Sequence, residues 1–141
     1  MKILRICPGL VQGRLKKIWK LYNLKDKNFE EIIDIYRKEN ILLPGSWSVE
    51  MQKRGFDTFE ILYPDIQSQV KWVYENGFKS SYINSVNDDK FWEILIYQII
   101  NYSPDIVFVY AGACLYFPPS KIKILKDLVP NSKFICFWGD E

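Results

Sequence analysis

An α/β domain built on a mostly parallel sheet is what this sequence predicts, and three observations predict it. Short apolar runs that suit buried strands alternate along the chain with segments whose apolar residues repeat at helical spacing. The runs Lys2–Cys7 and Asp105–Tyr110 are apolar nearly throughout, as in strands covered on both faces. Each ends at a breaker, Pro8-Gly9 or Ala111-Gly112, where a strand must turn toward the next element.

The elements follow in order. After Lys2–Cys7, the segment Val11–Tyr22 places Leu15, Ile18, Trp19 and Tyr22 on one helical face and Arg14, Lys16, Lys17 and Lys20 on the other. Phe29–Lys38 repeats the pattern with Phe29, Ile32, Ile33 and Tyr36. Its acidic start (Glu30, Glu31, Asp34) and basic end (Arg37, Lys38) suit the helix dipole. Pro44-Gly45 breaks the chain, Ser46 is placed to cap a helix over Trp47–Lys53, and Gly55 ends it. Asp57–Tyr63 is the second strand. Asp65 is placed to cap a helix through Tyr74, closed by Asn76-Gly77. Lys79–Asn87 is polar and turn-like.

Asp88 or Asp89 opens a helix over Phe91–Tyr102 that is apolar around most of its circumference and is expected to be buried on more than one side. Ser103-Pro104 stops it, and Asp105–Tyr110 is the third strand. Pro118-Pro119-Ser120 precedes a helix through Leu128 with Ile122, Leu125 and Leu128 toward the core. Lys133–Trp138 is the fourth strand.

This alternation implies right-handed βαβ crossovers and a three-layer α/β/α arrangement. The expected strand order, second, first, third, fourth, is Rossmann-like, and the sheet is expected to be incomplete at its C-terminal side. The strand order across such a sheet reverses between the first and third strands. Ligands bind at that switch point, outside the strands' carboxyl ends. Pro8, Gly9, Ala111 and Gly112 would line the crevice, with Trp138–Glu141 nearby.

Composition bounds the function. The 141 residues make one domain, residues 1–141, with no internal repeat or linker. A net charge of +2 with scattered basic residues argues against a nucleic-acid partner, which needs a concentrated positive face. No apolar run is long enough to span a bilayer, and Pro8-Gly9 breaks the first run too early for a signal peptide, so a soluble, cytoplasmic protein is expected. Cys7, Cys114 and Cys136 lack zinc-site spacing and lie in or beside strands, where buried free thiols are expected and no metal site is. The sequence holds no histidine, so acid–base chemistry would fall to carboxylates, lysine, tyrosine or a partner's residues.

Three short motifs stand at candidate ligand positions. Cys7-Pro8-Gly9 with Gly13 is neither a dinucleotide fingerprint nor a Walker loop, and a plain strand-to-helix turn accounts for it as well. Gly45-Ser46-Trp47-Ser48 combines helix N–H groups, hydroxyls and an indole that could hold a polar ring. A capped helix with Trp47 in the core is the plainer alternative. Trp138-Gly139-Asp140-Glu141 brings two carboxylates to a strand's carboxyl end, where they could bind hydroxyls or act as a base, or simply form a solvated loop. Pro8-Gly9 and Tyr110-Ala111-Gly112, which stand where its acidic cluster and aspartate belong, argue against a receiver-type regulator.

Four stretches also carry a family resemblance. Lys2–Gly9, Trp47–Asp57, Pro104–Tyr110 and Phe137–Glu141 occur in the order and form of a bacterial glycosyltransferase family related to the spore-maturation CgeB-like proteins. The chain resembles the N-terminal domain of such GT-B enzymes, in which two Rossmann-like domains face a cleft. The resemblance implies an acceptor-side domain for a carbohydrate or other acceptor, with the nucleotide-sugar donor held by a C-terminal domain outside this chain. It implies no cofactor and no sugar transfer by these residues alone. The substrate-binding residues it and the switch point select are Pro8, Gly9, Gly45, Ser46, Trp47, Ala111, Gly112, Trp138, Gly139 and Asp140; no catalytic residue is assigned. The apolar run Phe134–Trp138 is expected to leave a free strand edge open to self-association. A stand-alone, non-catalytic α/β binding module is the alternative.

Overall fold

Lys2–Pro8 forms strand β1 at an inner position of a four-stranded, all-parallel sheet in the order β2-β1-β3-β4, where β2 is Asp57–Tyr63, β3 Ile106–Tyr110 and β4 Lys133–Phe137. The computed structural model describes residues 1–8, 12–42, 44–63, 65–77, 88–110 and 117–137. Six α-helices lie among them: α1 (Gln12–Leu21), α2 (Phe29–Lys38), α3 (Trp47–Lys53), α4 (Ile66–Glu75), α5 (Asp88–Tyr102) and α6 (Pro119–Leu128). The arrangement is the expected α/β domain, consistent with a Rossmann-like fold.

The register explains the two cores. Parallel neighbours in register share a face, so Leu4 lies beside Val107, and Ile6 beside Ile61 and Val109. These residues are sealed with Leu95 and Ile99 of α5, Leu125 of α6, Tyr63 and Phe117. Cys7 and Leu62 project from the opposite face into a second cluster with Ile18 of α1, Phe29, Ile32, Ile33 and Tyr36 of α2, and Ile41 and Leu42. A strand buried on both faces by apolar side chains gains about 1.5–3 kcal/mol for each fully buried large one, which is why alternation is missing from its sequence.

Helix ends are set by local chemistry. Asn28 and Glu31 form a reciprocal capping box at the start of α2, with 2.9 Å bonds in both directions. Asp65 caps α4, its carboxylate accepting from Gln67 N and Ser68 N at 3.3 Å each. Gly55 (φ +83°) and Gly77 (φ +76°) take left-handed conformations just past α3 and α4, where a side chain would be strained.

Several expectations need correction. Ser46 occupies the N-cap of α3 but sits in the helical region with no side-chain cap bond. The first turn is held instead by Trp47 N donating to Pro44 O and Glu50 N to Ser46 O. In α5, Ile94, Leu95 and Ile99 are buried, whereas Tyr97 and Ile100 are exposed. Leu128 is exposed as well, because α6 ends beside the outer strand, where less of the sheet lies beneath it. Cys7 is a buried free thiol, but Cys136 is exposed, since β4 is an outer strand of the described sheet. Cys114 and Lys79–Asn87 lie outside the described residues. Among those described, no helix is long and apolar enough to cross a membrane.

Candidate functional site

Two charged residues interrupt the apolar strands, and the register brings them together. Arg5 and Glu60 are direct neighbours across β1 and β2, so both project from the same face. Each side chain is fully buried. Arg5 Nη2 forms an ion pair with Glu60 Oε1 and donates to Pro44 O at 3.4 Å. Arg37 of α2 closes the other side of Glu60, with Nε donating to Oε2 at 2.6 Å, and its Nη1 meets the exposed Asp34 at 2.6 Å. A buried charge is retained only when paired and hydrogen-bonded, and this carboxylate serves two guanidinium groups.

An aromatic cover lies over the pair. The Arg5 guanidinium carbon stands 4.6 Å from the Trp47 ring centroid and 5.9 Å from that of Tyr110. Trp47 stacks on Phe108 at 5.9 Å, Phe108 meets Tyr110 edge-on at 6.0 Å, and Tyr110 stacks on Phe137 at 5.6 Å with 9° between planes. The rings form a line that climbs from the middle of the sheet face to the carboxyl ends of β3 and β4. At its upper end Tyr110 is half-buried and Phe137 is 48% exposed.

Gly45 lets this cover seat. It is buried, and its N–H donates to Asn40 Oδ1 at 3.3 Å. A Cβ added there would lie 2.0 Å from the Arg37 carbonyl oxygen, so any larger residue would lift the loop carrying Pro44 and Trp47 off Arg5.

The sequence-selected residues divide accordingly. Pro8 ends β1, half-buried, in register with Tyr63, and so lies inside a strand rather than in the turn. Ser46 is exposed, and Trp47 is a lid over the mid-sheet arginine rather than a residue at the strand ends, because α3 runs back across the face toward the start of β2. Gly45 has a packing role. Gly9, Ala111, Gly112, Trp138, Gly139 and Asp140 lie outside the described residues. Sequence reasoning passed over Arg5, Glu60, Phe108, Tyr110 and Phe137. Its available signal was a lone charge of opposite sign in each of two apolar runs, Leu4-Arg5-Ile6 and Phe59-Glu60-Ile61.

The neighbouring ionisable groups are not built as nucleophiles. Burial pushes the Cys7 thiol up to about 12, outweighing the opposing pull of Arg5, so it stays protonated at neutral pH. Asp65, beyond β2, is almost fully buried, but Tyr36 Oη donates to it at 2.7 Å and two helix N–H groups occupy it further. Burial and then the Asp65 charge push the Tyr36 hydroxyl well above its ordinary range, while Trp19 Nε1 donates to it at 2.7 Å. Among the described residues no cluster of histidine, cysteine or carboxylates is arranged to hold a metal ion. What the geometry offers is an exposed aromatic platform at the strands' carboxyl ends, braced by a sealed ion pair beneath. No protein-family model, curated protein or solved structure matches this chain.

Proposed function

We propose that the chain is the acceptor-side Rossmann-like domain of a two-domain, GT-B-type glycosyltransferase, with the nucleotide-sugar held by a second domain encoded in the same reading frame. The observation that carries this reading is the stacked pair Tyr110–Phe137 at the carboxyl ends of β3 and β4, beside the β1/β3 switch point. Flat, partly exposed aromatic faces offer apolar area to the C–H face of a pyranose ring. The ion pair supports the same reading: Arg5 holds Trp47 and Tyr110 from below, which keeps the platform in place before a ligand arrives.

Saccharide titration followed by NMR on the 141-residue chain tests this reading. Mono- and disaccharides are expected to shift the resonances of Pro8, Tyr110 and Phe137, and Tyr110→Ala to abolish those shifts without unfolding the domain. Shifts confined to helices away from β1 and β3, or none with any saccharide, would remove the acceptor-side assignment and favour a stand-alone binding module with another ligand.

A further inference from the structure

A second crevice opens at the other end of the sheet. It has a volume of about 150 Å³ and is lined by Lys2, Phe59, Trp72, Gln98, Asn101 and Tyr102. Lys2 begins β1 and Tyr102 ends α5, so the crevice lies at the amino ends of the strands. The seven residues of β1 separate it from Pro8, and at strand rise they span about 20 Å.

Gln98 is the anomaly within it. The residue is 0% exposed, yet neither Nε2 nor Oε1 meets a hydrogen-bond partner among the described residues. A buried primary amide with its donor and acceptor both unmatched is costly, and native cores rarely keep one unless something else satisfies it. The surroundings are aromatic: Phe59 and Tyr102 lie 5.2 Å apart, and Trp72 forms another wall. Lys2 is already committed, its Nζ donating to Tyr102 O at 3.2 Å and standing 5.3 Å from the Tyr102 ring. The Tyr102 hydroxyl is pushed upward by burial and by Asp57, so it remains a neutral phenol.

We propose that this crevice binds a small neutral planar ring carrying a cyclic amide edge, a pyridone- or pyrimidinone-type group. Each feature of the ligand follows from the site. A volume of about 150 Å³ accommodates one six-membered ring. The walls of Phe59 and Trp72 favour a flat π-face. An N–H beside a C=O is the complement of the Gln98 amide and satisfies its donor and acceptor together when the side chain, sealed beneath the crevice wall, turns toward the ring. A cationic ligand is disfavoured because the Lys2 ammonium among the lining residues carries a positive charge. An apolar ring of the same size would leave the amide unmatched. The inference is independent of the sugar-binding reading, which concerns the opposite end of the strands.

The test is ligand selectivity on the unaltered 141-residue chain, read by the Gln98 side-chain NH₂ and Trp72 indole resonances. Saturable shifts are expected with 2-pyridone and with 4-methyl-2-pyridone, whose ring amide is intact. N-methyl-2-pyridone, which adds the same methyl but lacks the N–H, is expected to bind at least about tenfold more weakly. Benzene is expected to bind more weakly by a similar factor. Gln98→Met keeps the side chain's length and removes both polar groups, so it is expected to level these preferences. Equal binding of benzene and 2-pyridone would show a plain apolar hole and overturn the proposal. No shift of Gln98 or Trp72 up to the solubility limit of 2-pyridone would mean that only water fills the crevice, and would overturn it as well.

Discussion

Replacing Glu60 by glutamine removes the charge that Arg5 and Arg37 both use, and changes the shape of the site little. Arg5 has nowhere to go: its side chain is fully buried beneath Trp47, and Pro44 O, a neutral acceptor that the substitution leaves in place, is 3.4 Å away. Breaking a buried pair by neutralising one partner costs about 3–5 kcal/mol, because the other charge is left uncompensated. Arg37 loses less, since Asp34 still faces it and that pair is partly solvated. Against a typical total stability of about 5–15 kcal/mol, a loss of about 3–5 kcal/mol removes roughly a fifth or more. For a chain of this size that corresponds to a fall in melting temperature of about 10–20 °C.

Thermal and urea melts followed by circular dichroism measure the loss. The double variant Arg5→Met with Glu60→Leu removes both charges and refills the space, so it is expected to recover most of the stability. A loss below about 1 kcal/mol in Glu60→Gln, the scale of an exposed pair, would refute the claim that the pair is sealed. A double variant as unstable as the single one would show that shape rather than charge dominates the site.

Other outcomes follow from the same geometry. Gly45→Ala is expected to cost about 1–3 kcal/mol by overpacking and to raise Trp47 fluorescence exposure to quencher; an unchanged melt would show that the loop yields freely. Cys136 is expected to react with iodoacetamide at once and Cys7 only on unfolding, with peptide mass mapping as the readout. Because the Cys7 pKa is raised from 9.0 to about 12 in the folded state, its contribution to stability is complete below pH 9 and declines as pH rises toward 12; Cys7→Ala is expected to flatten that alkaline slope. Asp65→Ala removes the cap of α4 and the acceptor of Tyr36, an expected loss of about 0.5–2 kcal/mol from the cap alone, visible as faster amide exchange in the first turn of α4. Exposed Ile135 and Phe137 on β4 are expected to give a concentration-dependent dimer in light scattering, and a monomer at every concentration would count against pairing of that edge.

Much of the architecture was legible because it rests on local patterns. Apolar runs without alternation marked β1 and β3 as strands. β1 is covered on both faces, whereas β3 buries Val107 and Val109 but leaves Ile106, Phe108 and Tyr110 half-buried. Asp65 and Gly55 marked helix boundaries through chemistry that operates within a few residues. The site was less legible, because its parts are distant in sequence. Arg5 and Glu60 are 55 positions apart and meet only through strand register, which a one-dimensional reading does not supply. Trp47 was open to two readings, a ligand-loop residue beside its glycine and serine neighbours or a core residue of a capped helix. Its place depends on where α3 crosses the sheet, and it became a lid on Arg5 instead. Cys136 and Leu128 failed as core residues for a related reason: periodicity tells which face of an element is apolar, not whether anything lies against it.

The most direct measurement of the functional account is sugar transfer by the protein translated from the whole reading frame. Purified product would be given a panel of nucleotide-sugars and saccharide acceptors, with release of free nucleoside diphosphate and glycosylated acceptor both measured. The account predicts turnover by that product, none by the 141-residue chain alone, and a KM for acceptor raised by Tyr110→Ala with the KM for donor unchanged. Turnover unaffected by Tyr110→Ala, or a Tyr110→Ala defect confined to the donor, would contradict the placement of the acceptor on the β3–β4 platform. A reading frame whose product neither binds nor turns over any nucleotide-sugar would contradict the account as a whole.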